Sequence, residues 1–367
     1  MRQLYLAATG QNRGKTTTAL GLVDGFRRRG LRTGFIKPVG QRTVIDDGHS
    51  ADEDAVLMRS IFDLPESYSV MSPVHIPRGF TKAYIAGKVV EDLGARIQAA
   101  HREFADHDLL LIEGTGHAGV GAVIGLSNAV VAQMLGAPAV IVSEGGVGRP
   151  IDEIVLNASH FAAHGVRVAG AIVNKVRVDE QPGIEETLRR GLAKHGIPLL
   201  GVLPYRPILS NPTLAMVLEG VRGQTIHPGP DLDLVIGGVA IGAMEPQHML
   251  QRIGPRALVI VPGDREDVIA AIVQAKRIGS EAGGDAIGLV LTGGYQPRRT
   301  VIDAIRYADL FATIVDEDTY QVASEVHDLL VKTHISDLGK IEEIKALVWE
   351  YLFIDRISDV ATEAPAY

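Results

Sequence analysis

Short, continuously apolar runs alternate along this chain with longer stretches whose apolar residues recur at helical spacing. Residues 3–9 form the first run. A Gly-rich turn separates it from a helical pattern over 16–29, which Gly30 ends. Phe35-Ile36 opens a second run, closed by Lys37-Pro38, and further runs follow at 109–112, 139–142, 168–173 and 199–203. A strand with no polar face has to be covered on both sides. Such strands, separated by helices, predict an α/β fold with a parallel sheet and helices on both faces.

The pattern then breaks. Residues 222–230 carry Gly, Pro and His and little apolar content, and the domain boundary is expected there. Alternation resumes with strands at 234–243, 257–261, 286–291 and 312–315, each followed by a helix. The expected organisation is a larger domain over 1–222, a smaller α/β domain over 223–335, and a closing segment over 336–367. That segment is read as an amphipathic helix over 340–355 and a disordered tail over 361–367.

A length of 367 residues agrees with two cores. Aromatics are 5% of the chain, so the layers must be filled with Val, Ile, Leu and Ala. The formal charge of −8 and the absence of a basic stripe argue against a nucleic-acid partner. The one dense basic cluster, Arg27-Arg28-Arg29, is read as the solvated end of a helix. There are no cysteines, which excludes disulfides, thiolate metal sites and a cysteine nucleophile. No apolar run is long enough to span a membrane, and Met1 runs directly into a strand, so a cytoplasmic protein without a membrane partner is expected.

The turn after the first run reads Thr9-Gly10-Gln11-Asn12-Arg13-Gly14-Lys15-Thr16-Thr17. This is a P-loop with Thr9 at the usual first glycine and an intact Gly-Lys-Thr-Thr core. Small residues let the backbone curl so that successive N–H groups face phosphate oxygens, and the helix N-terminus adds partial positive charge. Gly10, Asn12, Arg13, Gly14, Lys15, Thr16 and Thr17 are therefore candidate nucleotide contacts. Lys15 would reach the β- and γ-phosphates of ATP, and Thr16 would hold Mg²⁺. Position 10 is not the second lysine of the partition and septum-placement ATPases, which argues against that kind of positioning switch.

Glu113 ends the apolar run 109–112, where an open α/β sheet places a carboxylate beside the P-loop. It is a candidate Mg²⁺ ligand or water-positioning group. Asp52-Glu53-Asp54 leads into a helix, and on spacing alone it reads equally as a helix cap or a metal ligand. His49, His117 and His248 lack paired spacing, so a histidine metal site is not expected.

These residues, with Lys37-Pro38-Val39, Asp54-Ala55, Glu113-Gly114, Asn174-Lys175 and Pro204, follow the order seen in dethiobiotin synthetase, and residues 1–210 resemble that branch of P-loop proteins. The resemblance implies that Thr16, Asp54 and Glu113 hold Mg-ATP. It makes Lys37 a candidate catalytic cation beside Lys15 and Glu113, with a strand-end lysine reaching solvent as the plainer reading. It assigns Asn174, Lys175 and Pro204 to the adenine corner. The chain departs from the synthetase at Gly40-Gln41-Arg42 and at the glycine-rich segment 114–121, both in the organic-substrate pocket.

In the second half, Pro262-Gly263-Asp264-Arg265 and Leu291-Thr292-Gly293-Gly294 resemble the motif of the DRTGG domain. The whole chain resembles the N-terminal part of long phosphate acetyltransferases. Asp264, Arg265, Thr292, Gly293 and Gly294 are candidate contacts for a second, small anionic ligand at a strand edge. A local Asp-Arg ion pair and a tight Gly-Gly turn are the alternative. The resemblances imply an ATP-dependent regulatory protein with a sensing domain. A ligase that activates a carboxylate with ATP, and an interaction module for a separate acetyltransferase, are the competing expectations. A homo-oligomer is expected by the same resemblance.

Overall fold

The computed structural model describes residues 1–46, 48–177, 182–327, 329, 333–335 and 337–364. They form two compact units, one of Met1–Tyr205 with Thr333–Tyr367, the other of Arg206–Lys332. Among the described residues, no helix is long and apolar enough to cross a membrane.

The first unit is built on a parallel sheet of β1 (Arg2–Ala8), β2 (Thr33–Ile36), β3 (Leu109–Glu113), β4 (Ala139–Glu144), β5 (Val168–Val176) and β6 (Leu199–Pro204). Their spatial order is β6-β5-β4-β1-β3-β2. The chain moves outward from β1 to one edge, comes back, and then builds the other side. The strand order therefore reverses at β1, and the crevice beyond its C-terminal end is where open α/β sheets bind ligands. Helix α1 (Lys15–Arg28) follows β1 directly. Gly30 takes a left-handed φ of 79° just beyond it, which stops the helix. Arg27 and Arg28 in the last turn oppose the negative end of the helix dipole.

The second unit has a five-stranded sheet of β7 (Gln224–His227), β8 (Gly238–Ile241), β9 (Ala257–Pro262), β10 (Ala286–Thr292) and β11 (Phe311–Ile314). The order is β7-β11-β10-β9-β8, parallel except for β7. Val259, Val261, Leu289 and Leu291 face one apolar layer, and Leu258, Ile260 and Val290 the other, as the period-2 alternation of a sheet covered on both sides requires.

Two expected boundaries move. Residues 206–222 belong with the second unit, where Leu214, Val217 and Val221 pack into its core. The supposed linker contains β7, an edge strand whose Gln224 and Thr225 are exposed, which is why it reads as polar. The run at 234–243 yields only the four residues of β8. The closing segment returns to the first unit. Helix α2 (Leu338–Tyr351) lies along α1, and Leu352 bridges to Gly201 of β6. Thr362 and Glu363 pair antiparallel with Gln3 and Arg2, so this part of the tail is a strand (β12, Thr362–Glu363), not disordered. Residues 365–367 lie outside the described residues.

The Arg27–Arg29 cluster is the exposed end of α1, as expected, and its charges are also partnered. The Arg28 and Arg29 guanidinium groups lie 5.3 and 5.2 Å from the Trp349 ring of α2, and Arg29 pairs with Asp355 at 2.6 Å.

One buried histidine makes this unit acid-sensitive. His101 is wholly buried, with Nε2 2.7 Å from Gln3 Oε1. Burial, with a smaller contribution from Arg102, brings its pKa down from 6.5 to about 4. The folded state keeps it neutral, whereas the unfolded chain protonates it below 6.5. Stability is thus fully present above 6.5 and falls as pH drops toward 4. From pH 7.5 to pH 5 the loss from this group is about 2 kcal/mol. Urea unfolding across that range should show a shallower fall for His101→Asn than for the parent. Equal slopes would sink the idea.

Candidate functional site

The turn from β1 to α1 takes the conformation its sequence demands. Asn12 and Gly14 adopt left-handed φ of 58° and 87°. A Cβ on Gly14 would lie 2.0 Å from Asn174 Nδ2, so only glycine fits. Thr9 N–H donates to Val142 O at 2.9 Å, tying the turn to β4. Gly10 leaves room for the Arg13 side chain, which lies 3.3 Å from where its Cβ would be. Thr17 follows in the first turn of α1, and Thr18 donates to Gly14 O at 2.9 Å.

The end of β5 stitches this turn down. Asn174 Nδ2 donates to Arg13 O at 3.1 Å, and its Oδ1 accepts from Lys175 N–H at 2.8 Å. Lys175 Nζ donates to Asn12 O at 2.8 Å and lies 3.0 Å from Glu144 Oε2. Arg13 pairs with Glu144, and with Glu153 at 3.6 Å; Glu153 also accepts from Thr9 Oγ1 at 2.9 Å. Both ends of the Asn174 amide are thus engaged with the backbone in this conformation. Pro204 is buried at the end of β6, and the Tyr205 ring beside it carries the Arg177 guanidinium 4.7 Å from its centre. Sequence reasoning missed Glu144 and Glu153. Glu144 closes β4 one serine beyond the apolar run 139–142, so a signal existed; Glu153, inside a helix, offered none.

Below the turn four side chains converge. Thr16 Oγ1 donates to Asp54 Oδ1 at 2.9 Å, with Glu113 Oε1 3.4 Å away. Lys37, carried just past β2, reaches Asp54 Oδ2 at 2.5 Å and Glu113 Oε1 at 2.8 Å. It does not reach solvent; its exposure is 4%, and that of Glu113 is 0%. The acidic triplet divides its roles. Asp52 caps the helix Glu53–Phe62, accepting from Asp54 N–H at 3.1 Å, which leaves the Asp54 side chain free to face Thr16 and Lys37.

The electrostatics follow from burial and pairing. Burial pushes the Glu113 carboxyl up to about 7; Lys37 opposes this and Asp54 adds to it. Burial also favours a neutral Lys37, but Asp54 and Glu113 outweigh it and hold the ammonium well above its usual range. Burial and then the Lys37 charge bring Lys15 down to about 8. Burial raises Asp54, and Lys37 more than reverses that.

A hydroxyl and two carboxylates are the hard oxygen donors that Mg²⁺ takes, usually with phosphate and water completing the shell. The remaining oxygen of Glu113, Oε2, is buried without a hydrogen-bond partner among the described residues. A buried orphan acceptor is costly, and a bound cation would offset that cost. Thr16, Asp54 and Glu113 therefore fit a bound Mg²⁺.

In the second unit, Pro262 and Thr292 are neighbours in register, so Asp264, Arg265, Gly293 and Gly294 share one strand edge. Their donors are engaged. Arg265 forks onto Asp267 at 2.9 and 3.0 Å and donates to Met244 O at 3.0 Å. Gly293 N–H goes to Glu317 O and Gly294 N–H to Val315 O, both at 2.8 Å. Thr292 Oγ1 lies 2.8 Å from Thr319 Oγ1. Both glycines have left-handed φ, 80° and 68°, as a tight turn needs.

A parallel sheet whose central strand feeds a P-loop, with a second α/β unit after it, defines a P-loop NTPase-type domain joined to a smaller module. The chain belongs to the AAA domain family, whose model matches residues 2–213, and a DRTGG domain matches residues 216–329. It is similar to the phosphate acetyltransferase of Nitrosomonas europaea, 24% identical over 366 residues, with 96% of this chain and 50% of that protein covered. The phosphate acetyltransferase of Pseudomonas putida is 26% identical over 372 residues, with 96% and 51% covered. The chain spans about half the length of these curated relatives. Among solved structures, the septum site-determining protein MinD from Pyrococcus horikoshii OT3, complexed with Mg-ADP, is 16% identical with a TM-score of 0.37. That match covers 57% of this chain and 83% of that one.

Proposed function

We propose that the first unit binds ATP with Mg²⁺ and that the DRTGG unit makes the protein a ligand-responsive regulator. The carrying observation is the convergence of Thr16, Lys37, Asp54 and Glu113 beneath the P-loop, with one buried Glu113 oxygen unpaired. In this reading Lys15 and the backbone N–H groups of the turn hold the phosphates. Thr16, Asp54 and Glu113 hold the metal, which supplies positive charge against the phosphate oxygens. Lys37 and Lys15 add cationic charge where a γ-phosphate would lie. An anionic ligand at the DRTGG edge would compete with Asp267 for Arg265.

The test is ATP binding with and without Mg²⁺. The parent should bind more tightly with Mg²⁺. Asp54→Asn and Glu113→Gln should each lose about tenfold of that gain, roughly 1.4 kcal/mol, while Mg²⁺-independent binding changes little. A parent protein that binds no ATP at millimolar Mg²⁺ would refute the reading. Lys37 and Lys15 placed around a γ-phosphate with Mg²⁺ would also suit a ligase that activates a carboxylate. ADP release stimulated by a panel of carboxylates, diaminopelargonate among them, would favour the ligase over the regulator.

A further inference from the structure

We infer that Lys37 is the resting counter-ion of the metal position, so that a divalent cation enters only together with a nucleotide that draws the Lys37 ammonium away. The inference rests on the reading of this pocket as a Mg-nucleotide site, and it assigns Lys37 a positioning role beyond that reading.

The groups proposed to bind the metal are those Lys37 already occupies. Its Nζ lies 2.5 Å from Asp54 Oδ2 and 2.8 Å from Glu113 Oε1, and Asp54 also accepts from Thr16 Oγ1 at 2.9 Å. Two carboxylates in a water-poor pocket are costly unless a cation faces them, and here the chain supplies its own. Lys37 is fixed from every side. Asp54 comes from the helix Glu53–Phe62, Glu113 from β3, and the buried Asp52 adds a more distant negative charge. Lys15 stands near enough to feel the Lys37 charge and repel it.

A divalent ion arriving alone would meet an ammonium in the same oxygen cage. It would have to displace a buried, doubly paired lysine with no new anion to receive it. A nucleoside triphosphate changes the balance. Its terminal phosphate would bring negative charge to the pocket and give Lys37 a new partner outside the two carboxylates. Asp54, Glu113 and Thr16 would then be free to hold the metal as the ammonium moves off them. A purely structural salt bridge would hold the fold but would set no order of entry.

The experiment is a Mn²⁺ titration of the full chain, free of nucleotide, followed by electron paramagnetic resonance. Lys37→Met should bind Mn²⁺ at least tenfold more tightly than the parent, and Lys37→Arg should behave like the parent. If Lys37→Met fails to fold, Lys37→Gln serves, and Mn²⁺ alone should raise the melting temperature of the neutral variant but not of the parent. Equal Mn²⁺ affinity in parent and neutral variants would overturn the inference, as would tight Mn²⁺ binding by the nucleotide-free parent. A non-hydrolysable ATP analogue separates the two layers. If the neutral variant takes up Mn²⁺ alone but the parent takes up none even with the analogue, the counter-ion role stands and the nucleotide reading falls.

Discussion

A Gly14→Ala variant should lose nucleotide affinity by about a hundredfold, close to 3 kcal/mol, while the sheet remains folded. Two costs coincide at this residue. A left-handed φ of 87° strains any residue with a Cβ by roughly 1–3 kcal/mol. The new methyl would also sit 2.0 Å from Asn174 Nδ2. Asn174 cannot yield cheaply, because its amide is held by Arg13 O on one side and Lys175 N–H on the other. Making room releases both bonds and frees the loop whose N–H groups would cradle the phosphates. Titration with a fluorescent nucleotide gives the affinity, and the melting temperature shows whether the fold survives. Adding Asn174→Ala should recover part of the loss, since it relieves the clash but not the strain. Binding by Gly14→Ala within threefold of the parent would rule out this geometry.

Gly21→Leu should destabilise the first unit by about 3–5 kcal/mol, the upper range for overpacking a closed interface. A Cβ at Gly21 would lie 2.3 Å from Val348 Cβ, and one at Gly25 would lie 2.9 Å from Ile354 Cδ1. Helix α1 thus meets the C-terminal segment across a face with no room for a side chain. Gly21→Leu would force α2 off that face, and with it the Trp349 ring beneath Arg28 and Arg29. A paired Val348→Ala should recover more than about 1 kcal/mol, because neighbouring residues are not additive. Chemical denaturation of the single and double variants measures this. A Gly21→Leu protein as stable as the parent would mean that the helices do not meet there.

What could be read from the chain in advance was local. The P-loop announced itself because a buried strand, a Gly-rich turn and a helix are consecutive. Glu113 was visible because a carboxylate at the end of a fully apolar strand must find a cation or a donor to offset its burial. Asp52 and Asp54 could not be told apart, since either can cap a helix and only the tertiary position of Thr16 and Lys37 separates them. The amide of Asn174 was assigned to a base edge by resemblance, and its hydrogen bonds to the P-loop backbone depend on how β5 lies beside β1 and β4. The larger misreading concerned which unit owns the ends of the smaller domain. Gly21 and Gly25, four apart inside a helix where each costs about 1 kcal/mol relative to alanine, were the trace of a close partner. Nothing local said that the partner lay more than three hundred residues downstream.

That return has a consequence for how the protein is made. The chain leaves the first unit at Tyr205 and rejoins it at Thr333, so the DRTGG unit is an insertion within a single fold. On a ribosome adding about 5–20 residues per second, the glycine face of α1 waits on the order of ten seconds for its cover while residues 206–332 are synthesised. The inserted unit is continuous in sequence and is complete before its host. A chain ended at residue 222 lacks both α2 and β12, whereas one that joins 205 to 333 retains them. Fragments for expression, and nascent chains awaiting chaperones, will behave according to that order of emergence.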